Sequence, residues 1–98
     1  MDNMSLFVTL TSRNVMIKDI FPEQIRAARA LINWTREDLA KASGVTVRTL
    51  ARIERSENAP REATLTALCA ALEGAGVEFI PENGSGPGVR MARRLDRK

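Results

Sequence analysis

The 98-residue chain has no histidine and a single cysteine, Cys69. The side chains that most often serve as general bases, nucleophiles and zinc ligands near neutral pH are therefore almost absent. Cys69 cannot close an internal disulfide, and it falls on an apolar helical stripe, where a buried, inert thiol is expected. The carboxylates and lysines form no catalytic constellation, and no glycine-rich loop suited to cradling phosphate is present. The expectation is a protein that is not an enzyme and takes no cofactor and no metal. The residues with distinctive chemistry are arginines. Arg48, Arg52 and Arg55 recur within the run VTVRTLARIER, and a guanidinium offers a planar fork of donors that fits phosphate oxygens or the O6 and N7 of guanine. A formal net charge of +3 and a pI near 9.8 lean the same way, toward a polyanionic partner.

The elements that position these arginines follow from periodicity and from capping residues. The chain is long enough for one core, and its 44% hydrophobic content is that of an ordinary globular domain. No apolar run approaches the roughly 18 residues that a membrane span requires. The start carries acidic Asp2, a short apolar run and no cleavage site, so a cytoplasmic, nucleoid-associated protein is expected.

The pattern becomes helical at Pro22, which suits a first helical turn, and Ile25, Ala28, Leu31 and Ile32 fall on one face before Asn33, a plausible left-handed stop. Thr35 caps a second helix, with Asp38 completing an acidic capping box. Trp34 and Leu39 stand where a hydrophobic staple would join. That helix ends at Gly44, and Thr46 caps a third that reaches about Arg55. A fourth runs to about Glu73 with Leu65, Leu68, Cys69 and Leu72 inward, and the glycines at 74 and 76 stop it.

Two short helices joined through a glycine turn form a helix-turn-helix. Ala40 provides the small residue that lets the helices approach. Gly44 provides positive φ, and Leu39, Val45, Leu50 and Ile53 occupy the apolar positions. With Leu50 and Ile53 inward, a turn of about 100° per residue places Arg48, Ala51, Arg52 and Arg55 on the outward face. Thr46 and Val47 lie at its N-terminal end, the part of such a helix that reaches base edges. The expected base contacts are Val47, Arg48, Ala51 and Arg52, with Arg48 foremost. The expected DNA backbone contacts are Thr35, Arg36, Thr46, Thr49 and Arg55. A solvated arginine face is the plain alternative; the helix-turn-helix setting favours nucleic acid.

The run WTREDLAKASGVTVRTLARIERSENAP, with its flanks from Glu23 to Leu72, resembles the Cro and phage-repressor type of helix-turn-helix, the XRE family. The resemblance implies a mainly α, lambda-repressor-like bundle of about four helices that is homodimeric in most members, binds double-stranded operator DNA and regulates transcription, as a repressor excluding polymerase or by recruiting it. It also implies a structural ion pair between Arg29 and Glu54. Three departures stand out: Arg36 in place of glutamine, Ser43 in place of alanine, and the strand-like GVEFI where a fifth helix is usual.

The ends are read as short flanking strands. Residues 1–20 form an N-terminal arm in which LFVTL and VMIK make either a hairpin or a single strand. Residues 21–75 form the DNA-binding unit, and 76–98 a strand, a turn-rich loop with a possible return strand at 89–91, and a basic tail. The strand Val77, Glu78, Phe79 and Ile80 either joins LFVTL within the chain or pairs across a two-fold axis to make the dimer. The tail arginines, Arg90 among them, either track phosphate or are simply solvated. Besides an operator-binding regulator, two readings remain open: the antitoxin of a toxin–antitoxin pair that autoregulates its operon, and an interaction module that has lost DNA binding.

Overall fold

The computed structural model describes residues 10–11, 15–57 and 59–93. Four helices, α1 (Pro22–Leu31), α2 (Arg36–Ser43), α3 (Val47–Glu54) and α4 (Glu62–Gly74), are followed by an antiparallel hairpin of β1 (Val77–Ile80) and β2 (Gly88–Met91). The fold is thus mainly α with a short sheet after the helices. α2 packs on α3 and α4, α1 on α3 and α4, and the hairpin closes against α1 and α4. Ile25, Ala28, Leu39, Leu50, Leu68 and Leu72 are fully buried at the centre. Val77 and Phe79 join the same core, so the hairpin is part of the bundle rather than an appendage.

Local rules set each helix end. Phe21 is extended, Pro22 occupies the first helical turn, and the Phe21 N–H donates to Gln24 Oε1 at 2.8 Å. α1 stops where Asn33 turns left-handed, at φ 59°. The Asn33 N–H then donates to the Ala30 carbonyl at 3.2 Å and the Trp34 N–H to that of Arg29 at 2.9 Å, the paired bonds of a Schellman close. Thr35 and Asp38 exchange side chain to backbone bonds of 3.1 and 2.9 Å at the start of α2. Gly44, at φ 80°, ends that helix with its N–H on the Ala40 carbonyl at 2.8 Å.

Two expectations are corrected. Val15–Lys18 is not a strand: Met16 makes one antiparallel bridge to Leu10, and the chain then coils into a 3₁₀ turn over Ile17–Asp19. The tight turn has a period of about three residues, which brings Ile17 and Ile20 to one side, where both are buried; the turn itself packs on α4. Beside that bridge the Thr11 N–H donates to the Val15 carbonyl at 2.8 Å, while residues 6–9 and 12–14 of the expected hairpin lie outside the described residues. Leu31 is 42% exposed rather than part of the buried stripe. It stands about 100° round the helix from Ile32, beyond the edge that Ile25, Ala28 and Ile32 define.

Gln24, which periodicity leaves unremarked, is 3% exposed and ties the N-terminal end of α1 to the hairpin. Its Nε2 donates to the Gly88 carbonyl at 3.0 Å and to that of Ile80 at 3.4 Å, satisfying the chain where β1 ends and β2 begins.

The turn between α2 and α3 yields the first prediction. A Cβ on Gly44 would meet no atom within 4 Å, so the cost of Gly44→Ala comes from the left-handed backbone alone. Urea unfolding is expected to show a loss of about 1–2 kcal/mol, with the denaturant slope unchanged.

Candidate nucleic-acid interface

α3 begins at Thr46, whose extended backbone lets its Oγ1 accept the Thr49 N–H at 3.1 Å. The two hydroxyls also lie 3.0 Å apart, so one donates to the other and a single proton is left for an outside acceptor. Leu50, Ile53 and Glu54 face inward and are buried. Val47, Arg48, Thr49, Arg52 and Arg55 are exposed and Ala51 is half-buried, which makes one continuous outward face. Among the described residues no hydrogen bond or ion pair engages Arg48. Its neighbours are less open. Glu57 Oε2 accepts from Arg55 Nε at 2.7 Å, and its Oε1 lies 3.7 Å from Arg52 Nε. The Arg55 hydrogen bond, aided by the arginine charges, holds the Glu57 carboxyl below its ordinary range. Helical period does not point to this carboxylate, which lies beyond the end of α3. The signal for it is Ser56, a left-handed residue at φ 59° that folds the chain back over α3.

The inward side is organised around Glu54, whose side chain is wholly shielded from solvent. Arg29 Nε donates to Oε2 at 2.7 Å and Arg29 Nη2 to Oε1 at 2.8 Å, a two-pronged pair between α1 and α3. Arg36, from the first turn of α2, adds Nε on Oε1 at 3.0 Å. Arg26 Nη1 donates to the Glu54 carbonyl, and Arg29 Nη1 to the carbonyl of Trp34 at 3.0 Å. Burial pushes the Glu54 carboxyl up, but the hydrogen bonds from Arg29 and Arg36, with their charges, outweigh it and leave it below the ordinary range. Arg36, expected on DNA phosphate, thus has its Nε turned inward while its side chain stays 36% exposed.

The thiol of Cys69 is buried among the apolar side chains of α4, and burial together with Glu73 pushes it up to about 12, so it is protonated at neutral pH. Arg90, read with the basic tail, instead lies in β2 opposite Glu78, with Nη2 on Oε2 at 3.1 Å and Nε on Oε1 at 3.3 Å. Arg93 is exposed, and 94–98 lie outside the described residues. β1 pairs with β2 of its own chain, and Val77 and Phe79 are only 2% and 1% exposed. A second chain would find little of that strand's backbone accessible, so the arrangement gives no support to Val77–Ile80 as a dimer strand.

A helix-turn-helix family model matches residues 25–79, from α1 into β1 and more than half of the chain. The chain belongs to this family, the Cro/C1-type or XRE class of DNA-binding transcription regulators. Comparison with curated proteins gives no match. Among the described residues, no helix is long and apolar enough to cross a membrane.

The Glu54 cluster makes a pH-dependent prediction. A carboxyl whose folded value is depressed contributes its full stability above the unfolded value of about 4.3 and loses it as pH falls through the lower folded value. At pH 7, Glu54→Gln leaves the arginines without their counter-charge and is expected to cost about 3–5 kcal/mol. The gap between wild type and variant should narrow as the pH is lowered from 5 to 2, read by denaturant unfolding at each pH.

Proposed function

We propose that the protein acts as a homodimer on a promoter operator, each protomer laying α3 in the major groove while α2 crosses the backbone. Val47, Arg48, Ala51 and Arg52 meet base edges, with Arg48 pairing a guanine. Thr35, Arg36, Thr46, Thr49 and Arg55 meet phosphate, Arg36 through the part of its guanidinium that Glu54 does not use. The observation that carries this reading is the contrast between the two faces of α3. The inward face is locked by Glu54, and the outward face presents Arg48 exposed, with no partner among the described residues. A dimer suits the task because a helix of eight residues spans few base pairs, and two half-sites about one helical turn apart multiply the discrimination. On this reading the protein is a regulator without catalytic activity, working in the cytoplasm at the nucleoid.

The test is binding of wild type and Arg48→Ala to a duplex from the gene's own upstream region and to a scrambled duplex, over a salt series. Wild type is expected to prefer the upstream duplex. Arg48→Ala is expected to lose about 1–3 kcal/mol of that preference while keeping the wild-type circular dichroism spectrum. A folded variant with undiminished preference would remove Arg48 from base reading, and the absence of any preference in the wild type, there and across genomic fragments, would refute operator binding.

A further inference from the structure

Among the described residues, the carboxylate of Glu57 is the one acidic group placed among the outward arginines of α3, and its position is built by the backbone. α3 closes with the Ser56 N–H on the Ile53 carbonyl at 2.9 Å and the Glu57 N–H on that of Arg52 at 3.0 Å, around the left-handed Ser56. That close returns the chain over the last turn of α3 and sets Glu57 beside Arg52 and Arg55. Its two oxygens then divide between them: one bonds Arg55 Nε and the other faces Arg52 Nε. The three side chains are 44–53% exposed, a setting in which solvent screens an ion pair and little stability comes from it. Holding the fold together is therefore a poor account of the arrangement. Its larger consequence is electrostatic and falls on whatever approaches the face.

Resting on the reading that α3 meets DNA, we propose that Glu57 is a specificity-determining residue: it weakens the phosphate contact of Arg55 and disfavours any at Arg52, while leaving the base contact of Arg52 open. A phosphate brings a full negative charge up to a carboxylate and is repelled, whereas guanine O6 and N7 are neutral acceptors and are not. Glu57 meets each arginine at its Nε, and no hydrogen bond to Nη1 or Nη2 of either occurs among the described residues. Those groups remain able to form a fork to a base edge. Binding to DNA of arbitrary sequence depends almost wholly on phosphate, so Glu57 weakens it more than it weakens operator binding, and the ratio between the two rises.

The experiment compares wild type and Glu57→Gln on the upstream duplex and on a duplex of unrelated sequence between 50 and 200 mM salt, with thermal melts to confirm that both proteins fold. Glu57→Gln is expected to bind the unrelated duplex more tightly at 50 mM salt, with the slope of log K against log salt steeper by about 0.9 per protomer, the mark of one more phosphate neutralised. Its preference for the upstream duplex should fall. If both proteins bind DNA with the same slope and the same preference, the inference is wrong. It is equally wrong if the variant loses affinity on both duplexes, since Glu57 would then be positioning the arginines for contact. If neither protein binds DNA, the reading of α3 fails and the inference goes with it.

Discussion

A carboxylate with no access to solvent has to be met by positive charge and hydrogen bonds, and the arrangement of the first three helices follows from how that need is satisfied at Glu54. Its oxygens take Arg29 from α1 and Arg36 from the first turn of α2, while its own carbonyl takes Arg26. Arg29 reaches on to the Trp34 carbonyl, so the turn between α1 and α2 is held by the same guanidinium. Glu54 is the last residue of α3, which means that the helix bearing the outward arginines is fixed at its C-terminal end by one charge cluster. At its other end Gly44 and Thr46 set the direction in which it leaves α2. Apolar packing through Leu39, Leu50 and Ile53 supplies the bulk attraction but is tolerant of small rotations. The ion cluster, with its fixed fork geometry, is less tolerant and sets the rotation of α3 about its own axis.

Local rules were the most legible part of the sequence. Asn33 and Gly44 as left-handed stops, Thr35 with Asp38, and Thr46 as a cap all depend on a few neighbouring residues, and each acts as its residue type implies. The stripe Leu65, Leu68, Cys69 and Leu72 was equally readable because a long helix against a core repeats its signal. Short β-branched runs carry no such repetition. VMIK is compatible with strand or turn, and what decides for the turn is the packing of Ile17 and Ile20 against α4, far along the chain. Helical period does not single out Gln24, because its role is with Gly88 and Ile80, more than fifty residues away. On α3, the outward set Arg48, Ala51, Arg52 and Arg55 follows from helical period alone. The partners that qualify it, Glu57 on the arginines and Glu54 on Arg36, depend on a chain reversal and on tertiary contact.

The two faces of α3 treat charge in opposite ways. Inward, one carboxylate is outnumbered by cations and serves to hold them. Outward, among the described residues, the arginines outnumber the carboxylate of Glu57, and the excess is left to the solvent or to a polyanion. The hairpin takes part by supporting α1 through Gln24 and by adding Val77 and Phe79 to the core, so it stabilises the platform on which the arginine cluster is assembled. Among the described residues, the Glu54 cluster draws its charged side chains from α1, α2 and α3, and the hairpin supplies none of them.

The central claim is that α3 reads DNA from the major groove. Methylation protection on a duplex carrying the gene's upstream region tests it directly, since dimethyl sulfate reports guanine N7 in the major groove and adenine N3 in the minor groove. The account predicts protected guanine N7 positions in two patches about 10 base pairs apart, one for each protomer. Binding that leaves every guanine N7 reactive, or that protects adenine N3 alone, would contradict it.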